Sequence, residues 1–251
     1  MVEMSEWVFE HQYNGSTAKN GLVQNEDNVL VNLKKQRFIL ADGASVSYDP
    51  KEWANFLCQK YLEDPRIDQS WITSAADKFG STVNRDELPW MKQAAFDRGS
   101  FSTLLGVELF LNEGYMLVSA FGDTNFFVLR DGHLHEVFPL KTPEEFNQSP
   151  NLISTNPSEN SYLTDEVIDK GILRIDFDNK YDQISVLMAT DALAAWVLDK
   201  DAEKRVSDLF LLGTDEAFEE FVVAKRTCGE LKTDDTSLIT FRIKRDIPSE
   251  H

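Results

Sequence analysis

Four apolar runs follow one another at 103–111, 115–121, 125–130 and 133–138, rich in aromatic and β-branched residues. Only short turns separate them: Asn112-Glu113-Gly114, Gly122-Asp123-Thr124 and Asp131-Gly132. Turns of that length cannot house the crossover that parallel strands need, so the run must form an antiparallel sheet. Asp131-Gly132 is the strongest hairpin dipeptide in the chain. Any fold proposed for this sequence has to contain that meander.

The flanking segments add layers. Strands are expected at 29–33 and 37–41, joined by Lys34-Lys35-Gln36, with a change of direction at Asp42-Gly43. A helix should begin at Asp49-Pro50, with Asp49 as cap, Pro50 in the first turn and Glu52 completing an acidic start. Trp53, Phe56, Leu57 and Tyr61 then share one face, and Asp64-Pro65 stops the helix. Further helices read at 71–79 and 90–98, ending at Gly80 and Gly99, with their Trp residues in the core. Strands resume at 172–177 and 184–189, a helix follows Thr190-Asp191, more helix falls between 202 and 225, and a last strand spans 237–243. Strands at both ends with helices between them predict an α+β layered fold closed by its terminal strands. The segment 141–162 carries Pro143, Pro150 and Pro157 among Asn, Ser and Thr, and reads as a loop insertion over one face of a single domain spanning 1–251.

Composition narrows the function classes. The chain has 251 residues, of which 42% are hydrophobic, enough for a buried core. Lys and Arg number 25 against 43 Asp and Glu, a net charge of −18 that repels phosphate backbones, so no nucleic-acid partner is expected. No apolar run approaches the roughly 20 residues of a spanning helix, so no membrane is expected either. The acidic Met1–Glu6 start lacks a secretory pattern, and Cys58 and Cys228 are far apart, which together predict a reducing, cytoplasmic setting. Walker, dinucleotide, zinc-protease and nucleophile-elbow motifs are absent, and His11, His133, His135 and His251 form no convincing triad.

What remains is a set of carboxylates at strand ends. Asp42 follows the strand 38–41, Asp191 follows 184–189, Asp123 lies between two strands, Asp234-Asp235 precede the last strand, and Glu26-Asp27 precede the strand at Val29. Side chains at strand ends can be aimed rigidly into one cleft, where several carboxylates would repel one another unless a cation neutralises them. All-oxygen ligation selects Mg²⁺ or Mn²⁺ over zinc. Each residue also has a plainer reading: Asp191 as a helix cap, Asp42 and Asp123 as turn residues beside glycine, Asp234-Asp235 and Glu26-Asp27 as solvated charges. On that reading the chain is an unrelated α+β protein.

In order, the chain carries Asn25-Glu26-Asp27, Ala41-Asp42-Gly43-Ala44, Ser102-Thr103-Leu104, Gly122-Asp123-Thr124, Ala189-Thr190-Asp191-Ala192 and Asp234-Asp235-Thr236-Ser237-Leu238. This ordered set, over about residues 8 to 243, resembles the metal-dependent protein phosphatases of type 2C. The resemblance implies a four-layer α-β-β-α sandwich, two antiparallel sheets flanked by helices. It implies two Mn²⁺ or Mg²⁺ ions, with Asp42 bridging them, the Gly43 carbonyl on one, Asp191 and Asp234 on the first, and Asp123 helping a third. Glu26 and Asp27 would lie in or near the shell, partly through water, and Asp42, Asp191, Glu26 and Asp27 would carry the chemistry. The implied reaction is attack on a phosphoserine or phosphothreonine phosphorus by a metal-activated water, on a phosphoprotein substrate whose partner is a cognate Ser/Thr kinase.

The chain departs from the family in three places. The family's substrate-gripping Arg is replaced by Leu22, with Lys19 nearby able to act only as a point charge. Ala44-Ser45-Val46-Ser47-Tyr48 carries no His where many members have one, and Ala192 stands for a Gly. The alternative reading is therefore a weakly active or inactive type 2C-like module that binds a phosphoprotein or a kinase.

Overall fold

The computed structural model describes residues 6–20 and 24–246. Among them are the strands β1 (Glu6–Thr17), β2 (Asp27–Asn32), β3 (Arg37–Asp42), β4 (Phe101–Ser102), β5 (Leu104–Phe110), β6 (Tyr115–Phe121), β7 (Asn125–Arg130), β8 (His133–Phe138), β9 (Ile153–Ser154), β10 (Ile172–Asp176), β11 (Gln183–Ala189) and β12 (Thr236–Asp246). The α-helices are α1 (Pro50–Glu63), α2 (Gln69–Ser81), α3 (Trp90–Arg98), α4 (Asp165–Lys170), α5 (Asp191–Leu198), α6 (Ala202–Leu209) and α7 (Asp215–Thr227).

The expected meander is present but divides between two antiparallel sheets. One runs β1-β12-β11-β7-β8, the other β10-β6-β5-β3-β2. The chain changes sheet at Gly122-Asp123-Thr124, between β6 and β7, while Asp131 and Gly132, both at positive φ, close the hairpin of β7 and β8.

Strand alternation explains the layering. On β3, Phe38 and Leu40 point between the sheets, whereas Ile39 and Ala41 point outward, and all four are fully buried. Phe38 stacks on Phe241 of the opposite sheet with ring centroids 4.2 Å apart. The outer face of β3 and β5 is covered by α1 and α2 through Trp53, Leu57, Tyr61 and Trp71. The outer face of β11 and β12 is covered by α5, α6 and α7 through Leu193, Val197, Val206 and Phe218. The fold is thus the expected α-β-β-α sandwich.

Several local expectations are corrected. The twelve-residue β1 escaped the sequence pattern because its register with β12 slips between Phe9 and His11, which breaks the period of two. Asp49 occupies the N-cap position of α1 but sits at φ 43° and makes no capping bond. Trp90 is not core: it is 78% exposed, and α3 buries none of its residues. The helical stretch from 202 is split into α6 and α7. Arg205 is buried over the Trp196 ring, and Arg226 reaches the carbonyl oxygens of Ala18 and Asp234.

The segment 141–162 is built rather than loose. It contains two short 3-10 turns and β9, which pairs with β4; the Trp53 indole donates to the Ile153 carbonyl at 2.9 Å. No helix among the described residues is long and apolar enough to cross a membrane.

Candidate active site

Asp27, Asp42, Asp123, Asp191 and Asp234 come from five separate segments, and the strand ends gather them at one end of the sandwich. Asp27 opens β2 and Asp42 ends β3, and the two are direct register partners. Asp123 lies in the β6–β7 turn, Asp191 opens α5 directly after β11, and Asp234 stands just before β12.

Local chemistry explains why each residue is held there. The Asp42 backbone N–H donates to the Thr103 hydroxyl at 2.8 Å, and the Asp42 carbonyl accepts from the Thr103 N–H and the Ser102 hydroxyl, each at 2.9 Å. A Cβ at Gly43 would come 2.5 Å from the Pro50 carbonyl oxygen, so only glycine lets the strap after Asp42 pass under α1. Gly122 adopts φ +94° against the Thr103 side chain, which turns Asp123 toward the same end. Asp191 is not the helix cap that one plain reading made it: Thr190 takes the N-cap position, and Asp191 Oδ1 accepts from the Ala192 N–H at 2.6 Å.

The cluster carries a strong electrostatic burden. Asp27 is 5% exposed, and neither of its carboxylate oxygens has a well-formed hydrogen bond, although the Ser237 and Thr190 hydroxyls are near enough to favour its charge. Burial, reinforced by Asp235 and Asp191, pushes the Asp27 carboxyl up to about 8. Asp42 is raised well above the ordinary carboxylate range by burial and by Asp27, Asp191, Asp123 and Asp234. Asp123 is raised to about 6, again by burial first and then by Asp191. A buried carboxylate without a partner is costly unless something neutralises it.

Two lysines supply part of that neutralisation. Lys19 Nζ lies 2.8 Å from Glu26 Oε2 and 2.8 Å from the Ser45 hydroxyl, which itself bonds Glu26. Lys232 Nζ lies 3.1 Å from Asp191 Oδ2 and 3.0 Å from Asp234 Oδ2. Asp235 does something the sequence did not disclose. Its two oxygens accept from the backbone N–H of Lys19 at 2.6 Å and of Glu26 at 2.7 Å, tying the start of β12 to the approach to β2. Thr103 and Lys232 were likewise missed as site residues, although Thr103 sits inside a quoted motif and Lys232 stands two residues before Asp234. Leu22 lies outside the described residues.

The donor set suits a hard divalent cation: oxygen donors only, crowded, and including one orphaned buried carboxylate. As they stand, no three acidic, His or Cys side chains among the described residues are spaced to hold a metal ion. The ammonium of Lys232 spans Asp191 and Asp234 instead. A cavity of about 280 Å³ opens beside Asp123, walled by Leu140, Pro150 and Tyr162 from the segment after β8. A larger one of about 770 Å³ lies between β1 and α7 and is lined by none of the five aspartates.

Two antiparallel sheets between helical layers, with strand ends converging on an acidic rim, make the fold of the PPM-type serine/threonine phosphatases. The chain superposes on the catalytic domain of the serine/threonine protein phosphatase PstP in complex with two manganese ions, over 95% of this chain and 99% of that one, with a TM-score of 0.62 at 15% identity. A bacterial serine phosphatase matches over 94% and 98% of the two chains, with a TM-score of 0.60 at 16% identity. PppA, a key regulatory component of T6SS in Pseudomonas aeruginosa, matches over 96% and 98%, with a TM-score of 0.54 at 14% identity. No protein-family profile and no curated protein sequence matches the chain.

Proposed function

We propose that the protein is a metal-dependent phosphatase that hydrolyses phosphoserine or phosphothreonine in proteins, or a related phosphate ester. The observation that carries this reading is the convergence of Asp27, Asp42, Asp123, Asp191 and Asp234 at one end of a phosphatase fold, with the Asp27 carboxylate buried and without a well-formed hydrogen bond. Asp42, the Gly43 carbonyl, Asp191 and Asp234 would hold two Mn²⁺ or Mg²⁺ ions, Asp123 would contribute to a third, and Glu26 and Asp27 would complete the shell partly through water. Bound there, such ions lower the pKa of a water nucleophile and shield the phosphoryl oxygens.

The chain's own residues do the positioning. Thr103 and Ser102 fix the Asp42 backbone, Gly43 keeps its carbonyl strap against α1, and Asp235 holds Glu26 against the start of β12. Lys19 orients Glu26 and keeps a positive charge at the rim, where a phosphate dianion would dock. No nucleophilic protein side chain is required. The substrate is a phosphoprotein made by a Ser/Thr kinase in the same compartment. Two free thiols, one of them the exposed Cys228, support a reducing cytoplasmic compartment, and the shared core between the sheets supports one domain across the whole chain.

One observation favours the second reading, a type 2C-like module that binds without turnover. Lys232 already occupies the space between Asp191 and Asp234, two of the carboxylates that would hold the first ion. Phosphate release from a phosphothreonine peptide and an aryl phosphate, with Mn²⁺ or EDTA, separates the two readings. Mn²⁺-dependent release lost in Asp191→Asn is the expected result, and no release from either substrate with Mn²⁺ bound would leave only the binding module.

A further inference from the structure

We infer that Lys232 is the internal counter-cation of the acidic end: its ammonium holds Asp191 and Asp234 converged in the metal-free chain and competes with a divalent ion for them. The inference rests on the reading of Asp191 and Asp234 as metal ligands. Lys232 Nζ is within 3.1 Å of one carboxylate oxygen on each, and these residues come from different elements, the start of α5 and the approach to β12. Without a cation between them the two carboxylates would repel.

Lys232 joins both carboxylates through the one ammonium at the end of its chain. The side chain is nevertheless 64% exposed, so it can swing into solvent with no change in backbone. Arg226 cannot do this: its guanidinium is clamped on the carbonyl oxygens of Ala18 and Asp234 and on the Thr236 hydroxyl. Of the basic groups near the site, Lys232 is built to leave.

A second observation points to a cation from outside. Lys19 serves Glu26, and Lys232 serves Asp191 and Asp234, but Asp27 keeps both oxygens without a well-formed bond at 5% exposure. Among the described residues no cationic side chain bonds Asp27: Arg226 feels its charge but is held on the Ala18 and Asp234 carbonyls, whereas Asp191 and Asp234 share the Lys232 ammonium. An ion entering beside Asp27 displaces nothing. An ion entering between Asp191 and Asp234 must evict an ammonium. Two metal affinities follow, and only the weaker depends on Lys232.

Calorimetric titration of the full chain with Mn²⁺ tests this with native protein, Lys232→Met, which keeps the bulk and drops the charge, and Lys232→Arg. The Met variant is expected to tighten the weaker site about tenfold and leave the stronger one as it was, with Arg resembling native. On native protein alone, labelling of Lys232 by an amine-acylating reagent, read by mass spectrometry, is expected to rise when Mn²⁺ saturates both sites; this measurement decides if the Met variant does not fold. Equal affinities in native and Met proteins, or equal labelling with and without Mn²⁺, would overturn the inference while leaving phosphatase activity open. Mn²⁺-driven release of Lys232 without phosphate release would sustain it and sink the enzyme reading. No Mn²⁺ binding by any variant would end both.

Discussion

Asp27 and Asp42 stand directly opposite each other on β2 and β3, two carboxylates paired across a sheet where like charges destabilise. Nothing in ordinary strand energetics selects that pairing. It is tolerated because the rest of the sandwich, from Thr103 to the aromatic core, fixes both strands independently.

Burial of Asp27, reinforced by Asp235 and Asp191, makes the metal-free protein sensitive to alkali. Asp27 titrates at about 8 in the folded chain against 3.8 when unfolded, so between these values the folded state binds more protons. The contribution of Asp27 to stability is then most favourable below about pH 4 and falls as pH rises toward 8, by the linkage relation. Thermal melts of EDTA-treated Asp27→Asn should show a shallower fall over that window and a gain of about 1–3 kcal/mol at its upper end. A slope identical to that of the native chain would mean that Asp27 carries no such penalty.

Two glycines should respond oppositely to alanine. Gly43→Ala forces a Cβ against the Pro50 carbonyl and should destabilise by about 1–3 kcal/mol, with loss of phosphate release because the Asp42 strap moves. Gly80, near the end of α2, has open space around it, and Gly80→Ala should stabilise by about 0.5–1 kcal/mol through helix propensity. Denaturant midpoints of the pair check the contrast.

Removing the Asp235 carboxylate strips the Lys19 and Glu26 amides of their acceptor. Asp235→Ala should cost about 1–3 kcal/mol and speed hydrogen exchange at those two amides above all others. Unchanged exchange there would show that the latch is not what holds the segment.

Phe38 and Phe241 join the two sheets by a stacked contact in a fully buried layer. Phe38→Ala should destabilise by about 3–5 kcal/mol. A double-mutant cycle with Phe241→Ala should recover about 0.5–1.5 kcal/mol of coupling beyond lost area.

Much of this architecture is legible along the chain because strands with short turns carry their own pairing instructions. The hairpin at Asp131-Gly132 and the ends of α1 and α3 fall where capping and turn chemistry place them. β1 was hidden because a bulge near Phe9 scrambles its alternation, and Trp90 misled because an aromatic at helical spacing says nothing about whether a partner covers it. The aspartates could be nominated from their strand-end contexts. The division of labour between Asp234 and Asp235 could not, since it depends on amides some two hundred residues away. Lys232 was invisible for the same reason: a lysine in an acidic surface sequence looks solvated until the fold sets two carboxylates around it.

The Asp235 latch joins residues 216 positions apart, and β1 zips onto β12 over nearly its whole length. A ribosome releasing this chain from its front end exposes Glu26, Asp27 and Asp42 long before the segment that completes their surroundings has been translated. The acidic end therefore closes only once the β12 segment has been made, so a product truncated before it would present its first carboxylates to solvent, hydrated and apart, with no assembled centre to sequester ions from the cell.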